Sequence, residues 1–220
     1  MSNTMSHAKA VITVVVLSVI DALFPVVANA SVEQEWRFRV YLDDKPIGYH
    51  HFTISQAGEF EQVTTLARFD VEFLKISLFK YRHDNIERWS RQCLNSIAST
   101  TDENGTLFRV DGNVTDSGFR LSSNAGDTTL AHCISTFAYW DKSFLQHDRL
   151  LNSQTGEYLE VDVTELGEQS LMIGDASVAV NRYRLTADKI DIEVWYSGND
   201  QWLGLQSTTD KGRLIRYIIE

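Results

Sequence analysis

The last fifty residues, 171–220, constrain the fold of this chain most. They fall into short runs of β-branched and aromatic residues: Val178, Val180, Tyr183 and Leu185; then Ile190, Ile192, Val194 and Trp195; then 202–205; then 214–219. Turn formers at 186–188, 197–200 and 209–212 separate the runs. Runs at roughly ten-residue spacing with such breaks predict an antiparallel meander.

The same reading extends upstream. Trp36, Phe38 and Val40 alternate with Arg37, Arg39 and Tyr41, as in a half-buried strand. A turn at 42–48 returns the chain into 49–55 as a hairpin. Residues 60–89 predict two strands joined near 74–77, because the alternation of Phe69, Val71 and Phe73 slips at Leu74 and again before Tyr81. Further strands are expected at 86–99, 106–110, 116–122 and 128–140, with turns near 102–105, 111–113 and 123–126. Asn104-Gly105 is the strongest hairpin signal, since this pair takes positive φ at little cost. Residues 141–152 break the pattern. Asp141 there is a candidate N-cap, and Phe144, Leu145, Gln146, Leu150 and Leu151 form a partial helical stripe. A strand at 158–166 and a loop at 167–170 lead into the terminal meander. Roughly ten to twelve strands with no βαβ alternation make the fold class mainly β: a strongly curved antiparallel sheet or open half-barrel with one short helix.

Residues 1–30 carry the features of a secretory signal: Lys9, the apolar run 10–20, Pro25, and the small-x-small site Ala28-Asn29-Ala30 before Ser31. The expected organisation is a signal peptide, 1–30, and a single β-rich domain, 31–220, in the periplasm or, alternatively, secreted. No later run approaches the ~18 apolar residues of a membrane helix, so the processed chain is not expected to be an integral membrane protein. Lys9 and Asp21 cancel, so the domain keeps the net charge of −10. An acidic chain without a Lys/Arg cluster is a poor partner for nucleic acid.

Cys93 and Cys133 leave two states open. Export and an even count favour a disulfide. Placed on the first and fourth strands of a flat meander, however, they would stand roughly 14 Å apart, beyond the roughly 7 Å a bridge allows. Either the sheet curls or departs from sequential order, or both thiols are free and buried.

Catalytic patterns are scarce. His132 and Cys133 are adjacent on an expected strand and point to opposite faces, so they do not serve each other. The same holds for His50 and His51 as a metal clamp. His83 reads as a surface or lightly buried polar residue, and no metal-ligand spacing is present. No cofactor fingerprint appears, so the chain is expected to use no cofactor and no metal. Glu87 and Glu193 each lie two residues from a tryptophan on the same strand face. Two such acids could serve a hydrolase of the glycosidase kind; the plainer reading pairs each with an arginine across the sheet.

The aromatic load carries more weight. Trp89, Trp140, Trp195, Tyr196 and Trp202 either fill a sandwich core or, in a half-barrel, line one concave wall fit for an apolar ligand. A set of segments then carries a resemblance: Lys45-Pro-Ile-Gly48, Tyr81 to Trp89 (YRHDNIERW), Tyr139-Trp140, Leu151 to Gly156 (LNSQTG), and Val194-Trp-Tyr196 followed by Trp202-Leu-Gly-Leu205. Together they resemble an uncharacterised family of exported proteobacterial proteins classed as a domain of unknown function. That family is in turn distantly similar to exported proteins with the curved sheet of lipoprotein carriers. The resemblance implies a bacterial, periplasmic, β-rich protein and transfers no catalytic residue. The expectation is a non-catalytic envelope protein that binds a hydrophobic small molecule or lipid, or an envelope protein partner, on its aromatic face. The alternatives are the paired-carboxylate hydrolase and a purely structural envelope protein.

Overall fold

The computed structural model describes residues 32–73, 76–209 and 211–220. The signal-like segment 1–30 lies outside the described residues, as do Leu74 and Lys75 at the expected joint of two strands. The described chain forms β1 (Val32–Leu42), β2 (Lys45–Ala57), β3 (Phe60–Phe73), β4 (Ile76–Ser90), β5 (Cys93–Glu103), β6 (Thr106–Thr115), β7 (Gly118–Ser123) and β8 (Gly126–Leu130). A 3-10 turn (Lys142–Gln146) follows, and then β9 (Arg149–Leu151), β10 (Tyr158–Glu160), β11 (Asp162–Ile173), β12 (Ala176–Ala187), β13 (Ile190–Tyr196), β14 (Trp202–Thr208) and β15 (Leu214–Ile219).

Thirteen strands make one antiparallel sheet in the order β11-β12-β13-β14-β15-β1-β2-β3-β4-β5-β6-β7-β8. The last strand pairs with the first, from Phe38 opposite Ile219 to Leu42 opposite Ile215. Laid flat, such a sheet would span roughly 60 Å at the usual strand spacing. Instead Val110, Phe119 and Leu121 near one edge share a single core cluster with Leu185 and Val194 near the other. The sheet is therefore strongly curled, as expected, and β8 and β11 remain its unjoined edges.

The space inside the curl is filled by residues 131–161. The strand expected at 128–140 ends at Leu130, and the chain then leaves the sheet and crosses its concave side. Ile134, Ala138, Phe144, Leu150, Leu151 and Val161 of this segment are buried. Its backbone is satisfied by specific bonds, as buried amides require: Leu94 N donates to Ile134 O (2.9 Å), Leu151 N to Ser135 O (2.9 Å) and Val161 N to Asp148 O (2.9 Å). This crossing settles the cysteine question. Cys133 lies on the plug and not on the fourth strand, its Cα is 4.9 Å from that of Cys93, and the two form a disulfide.

Other boundaries also shift. Arg91, with φ 56°, turns the chain between β4 and β5, which splits the strand expected at 86–99. Gly112 stands inside β6 and marks no turn. A Cβ there would lie 2.5 Å from the Phe119 ring, so the glycine makes room for an aromatic from the next strand. The helix expected at 141–152 is a single 3-10 turn. Asp141 caps it by accepting Ser143 N (2.9 Å), and 149–151 pairs with 158–160 as a small second sheet. The strand expected at 158–166 breaks at Val161, and β11 then runs through 167–170 with a bulge between Glu165 and Gly167. The tip of the β9–β10 hairpin docks on the sheet. Ser99 Oγ donates to Ser153 O, and Gly156, at φ 81°, sits where a Cβ would be 2.5 Å from that of Ser123.

Candidate functional site

The chemistry concentrates on β4. From 81 to 90 buried and exposed residues alternate without a slip. Tyr81, His83, Asn85, Glu87 and Trp89 point inward, while Arg82, Asp84, Ile86 and Arg88 point out. Register aligns this stripe with its neighbours in rows. His50, Ala67, His83 and Thr101 lie side by side across β2, β3, β4 and β5; Phe52, Thr65, Asn85 and Ser99 form the next row; Ile54, Val63, Glu87 and Ile97 form the third. A polar band thus runs through the apolar interior. His83 is 2% exposed and Glu87 1%, so the expectation of a surface or lightly buried His83 fails. The local alternation that puts Tyr81 and Trp89 inside carries His83 with them.

Glu87 is held by three donors. Asn85 Nδ2 donates to Oε1 (2.9 Å), Trp89 Nε1 to Oε2 (3.0 Å), and Thr136 Oγ1, from the plug, to Oε2 (3.3 Å). Burial raises the Glu87 carboxyl to about 7 against the opposing pull of those donors. The imidazoles move the other way. Burial lowers His83 to about 4, with its Nδ1 2.9 Å from Thr101 Oγ1. Burial, with His83 and His51 adding repulsion, holds His50 well below its ordinary value.

Two cavities flank this band. The larger, about 820 Å³, lies where β3 begins and β4 ends. Ile54, Trp89, Ala138, Trp140, Phe144 and Val163 contribute its apolar lining, and Glu61, Arg91, Asp141, Lys142, Glu165 and Asp200 its charged residues. The smaller, about 200 Å³, is lined by His50, Thr65, His83, Asn85, Glu87 and Thr136 from the band, with Phe52, Tyr139 and Trp140 beside them. Trp140 lines both. Its ring meets Trp89 edge-on at 6.0 Å and Phe52 at 5.8 Å.

The aromatic residues singled out from sequence divide accordingly. Trp89 and Trp140 meet at the larger cavity. Tyr196 and Trp202 are wholly buried core. Tyr196 donates its hydroxyl to Tyr139 O (2.7 Å), and Trp202 packs 4.4 Å from Phe38 and 5.2 Å from Tyr139. Trp195 does not share the concave wall. It belongs to a separate cluster with Val180 and Leu203, because adjacent residues Trp195 and Tyr196 of one strand face opposite sides. Glu193 lies on that outer side with Trp195 and pairs with Arg182 at 2.6 Å. Glu87 faces inward with no arginine among its hydrogen-bond partners. The two carboxylates therefore look to opposite faces of the sheet and do not form a catalytic pair. Among the described residues no group of three or more His, Cys, Asp or Glu side chains is placed to hold a metal ion.

Sequence reasoning missed His50, Thr65 and Asn85. For Asn85 the usable signal was the period of two in YRHDNIERW, bracketed by Tyr81 and Trp89 on one parity.

A family model described as a domain of unknown function, DUF6134, matches residues 38–220. No curated protein matches the chain in sequence. Among solved structures, the chain is similar to the crystal structure of a beta-barrel-like protein of domain of unknown function DUF1849 from Brucella abortus. The TM-score is 0.60 at 8% identity, covering 84% of this chain and 94% of that one. At that identity the likeness speaks for the fold.

Proposed function

We propose, for a chain that belongs to the DUF6134 family, that it is a non-catalytic binding protein of the bacterial periplasm. Its ligand is a hydrophobic or lipid-like molecule with polar ends, seated in the larger cavity. The observation that carries this reading is the meeting of Trp89 and Trp140 on the wall of an 820 Å³ cavity that also carries charged residues. Concave sites with aromatic walls and a few fixed polar groups are the usual form of small-molecule sites. An apolar body would cover the two indoles, and polar ends would meet charges such as Lys142, Arg91 and Glu61. Export is supported by the signal-like pattern of residues 1–30.

The test is native mass spectrometry with organic extraction on the chain purified from a periplasmic fraction, followed by titration with a dansyl-labelled fatty acid. The expected results are a polypeptide mass beginning at Ser31, a co-purifying apolar species or saturable probe binding at one per chain, and loss of that binding in Trp140→Ala at an unchanged circular dichroism spectrum. A chain that carries no apolar species and takes up no probe overturns the reading.

A further inference from the structure

Among the described residues, four buried side-chain nitrogen or oxygen atoms lack a hydrogen-bond partner, and three of them, His50 Nε2, Thr65 Oγ1 and Asn85 Oδ1, belong to residues that line the smaller cavity. Their residues are 9%, 4% and 3% exposed and stand on the adjacent strands β2, β3 and β4. Folded proteins pair nearly all of their buried polar groups. A cluster of unpaired ones around one cavity therefore calls for a partner held in that cavity, ordered water or a solute.

The lining also defines that solute. An apolar occupant would leave all three atoms unpaired, at a penalty for each. An anion would find no buried cation, since burial keeps both imidazoles neutral and Lys189 is exposed at the edge of the cavity. Of the carboxylates, Glu87 lines the cavity, and its oxygens already accept from Asn85, Trp89 and Thr136. What remains is a neutral molecule bearing groups that both donate and accept. Asn85 Oδ1 accepts only, Thr65 does both, and His50 Nε2 does either according to its tautomer. Hydroxyl groups meet all three demands. Phe52, Tyr139 and Trp140 supply apolar faces beside these polar atoms, as a ring with polar edges requires. The volume of about 200 Å³ equals that of about seven waters in the liquid, room for a single small ring.

We propose that the smaller cavity is a binding site for one small uncharged polyhydroxylated molecule, a monosaccharide or polyol. This site is separate from the larger cavity and its ligand, with Trp140 as the wall between them.

The test is calorimetric titration of the full processed chain with glucose, galactose, mannose, myo-inositol and glycerol, with gluconate and glucosamine as charged comparators. The expected result is saturable one-to-one binding of at least one neutral member, at least tenfold tighter than either comparator. Thr65→Val removes an unpartnered hydroxyl with little change of shape. It should weaken that binding about tenfold without lowering the melting temperature, and Trp195→Ala on the outer face should leave it unchanged. No binding of any neutral member, tighter binding of a charged comparator, or unchanged affinity in Thr65→Val overturns the proposal. The fatty-acid titration reads the larger cavity independently, so either site can fail without the other.

Discussion

Replacing Glu87 by Gln tests the electrostatics of the buried band. The ordinary carboxyl value is 4.5, and in the folded chain Glu87 is raised to about 7. Between those values the native state holds a proton that the unfolded chain has released. Unfolding then releases a proton, so stability falls as pH rises through this window and levels off above it. The slope is about 1.4 kcal/mol per pH unit, and the whole window amounts to about 3 kcal/mol. Gln carries no charge at any pH and resembles the protonated acid in shape, so it escapes this loss. The imidazoles act in the opposite sense. His83, lowered from 6.5 to about 4, makes the native state more stable as pH rises across that interval. Glu87 is not among the charges that shift His83 or His50, so their contributions cancel when the two proteins are compared. Urea unfolding of both proteins at several pH values from about 4 to about 8 yields the stability difference from midpoints and slopes. It should grow by about 3 kcal/mol in favour of Glu87→Gln between about pH 4.5 and about pH 8. A difference that stays flat would show that Glu87 is ionised at little cost, and the reasoning from burial would be wrong.

Three further outcomes are expected. The Cys93–Cys133 bridge closes a loop with a sequence separation of 40, so the double serine variant should lose about 4 kcal/mol in urea unfolding, the plug being tied to β5 at that point. Gly156→Ala, which must hold φ at 81° and meet Ser123, should cost at least about 2 kcal/mol, whereas Gly58→Ala at φ 68° in open space should cost about 1 kcal/mol, both read from thermal or urea midpoints. Trp195→Ala should lower the melting temperature by emptying the outer cluster yet leave fatty-acid probe binding intact, the reverse of Trp140→Ala in the same fluorescence titration.

Much of the candidate site was written in the strand period. The parity of Tyr81, His83, Asn85, Glu87 and Trp89 is fixed once Trp89 is known to face inward, because side chains alternate along a strand whatever the fold. The same rule separates Trp195 from Tyr196 and His50 from His51. What the period could not supply is the cost of burial. Whether a histidine on the inner parity is wet or dry depends on what covers it, and here the cover is the plug, whose Thr136 reaches Glu87 from 49 positions away.

The sequence by itself determined the antiparallel meander, most of its turns and the alternation of side chains between two faces along each strand, since these follow from neighbours in the chain: β-branched alternation, turn formers and the pleat. Only the tertiary structure decided that the sheet curls until its two ends share a core, that 131–161 leaves the sheet to fill the curl, that Cys93 meets Cys133, and that three residues with unpaired polar atoms, on adjacent strands, line one cavity. Those outcomes rest on pairings between residues distant in sequence, and no local pattern encodes which distant surfaces will exclude water together.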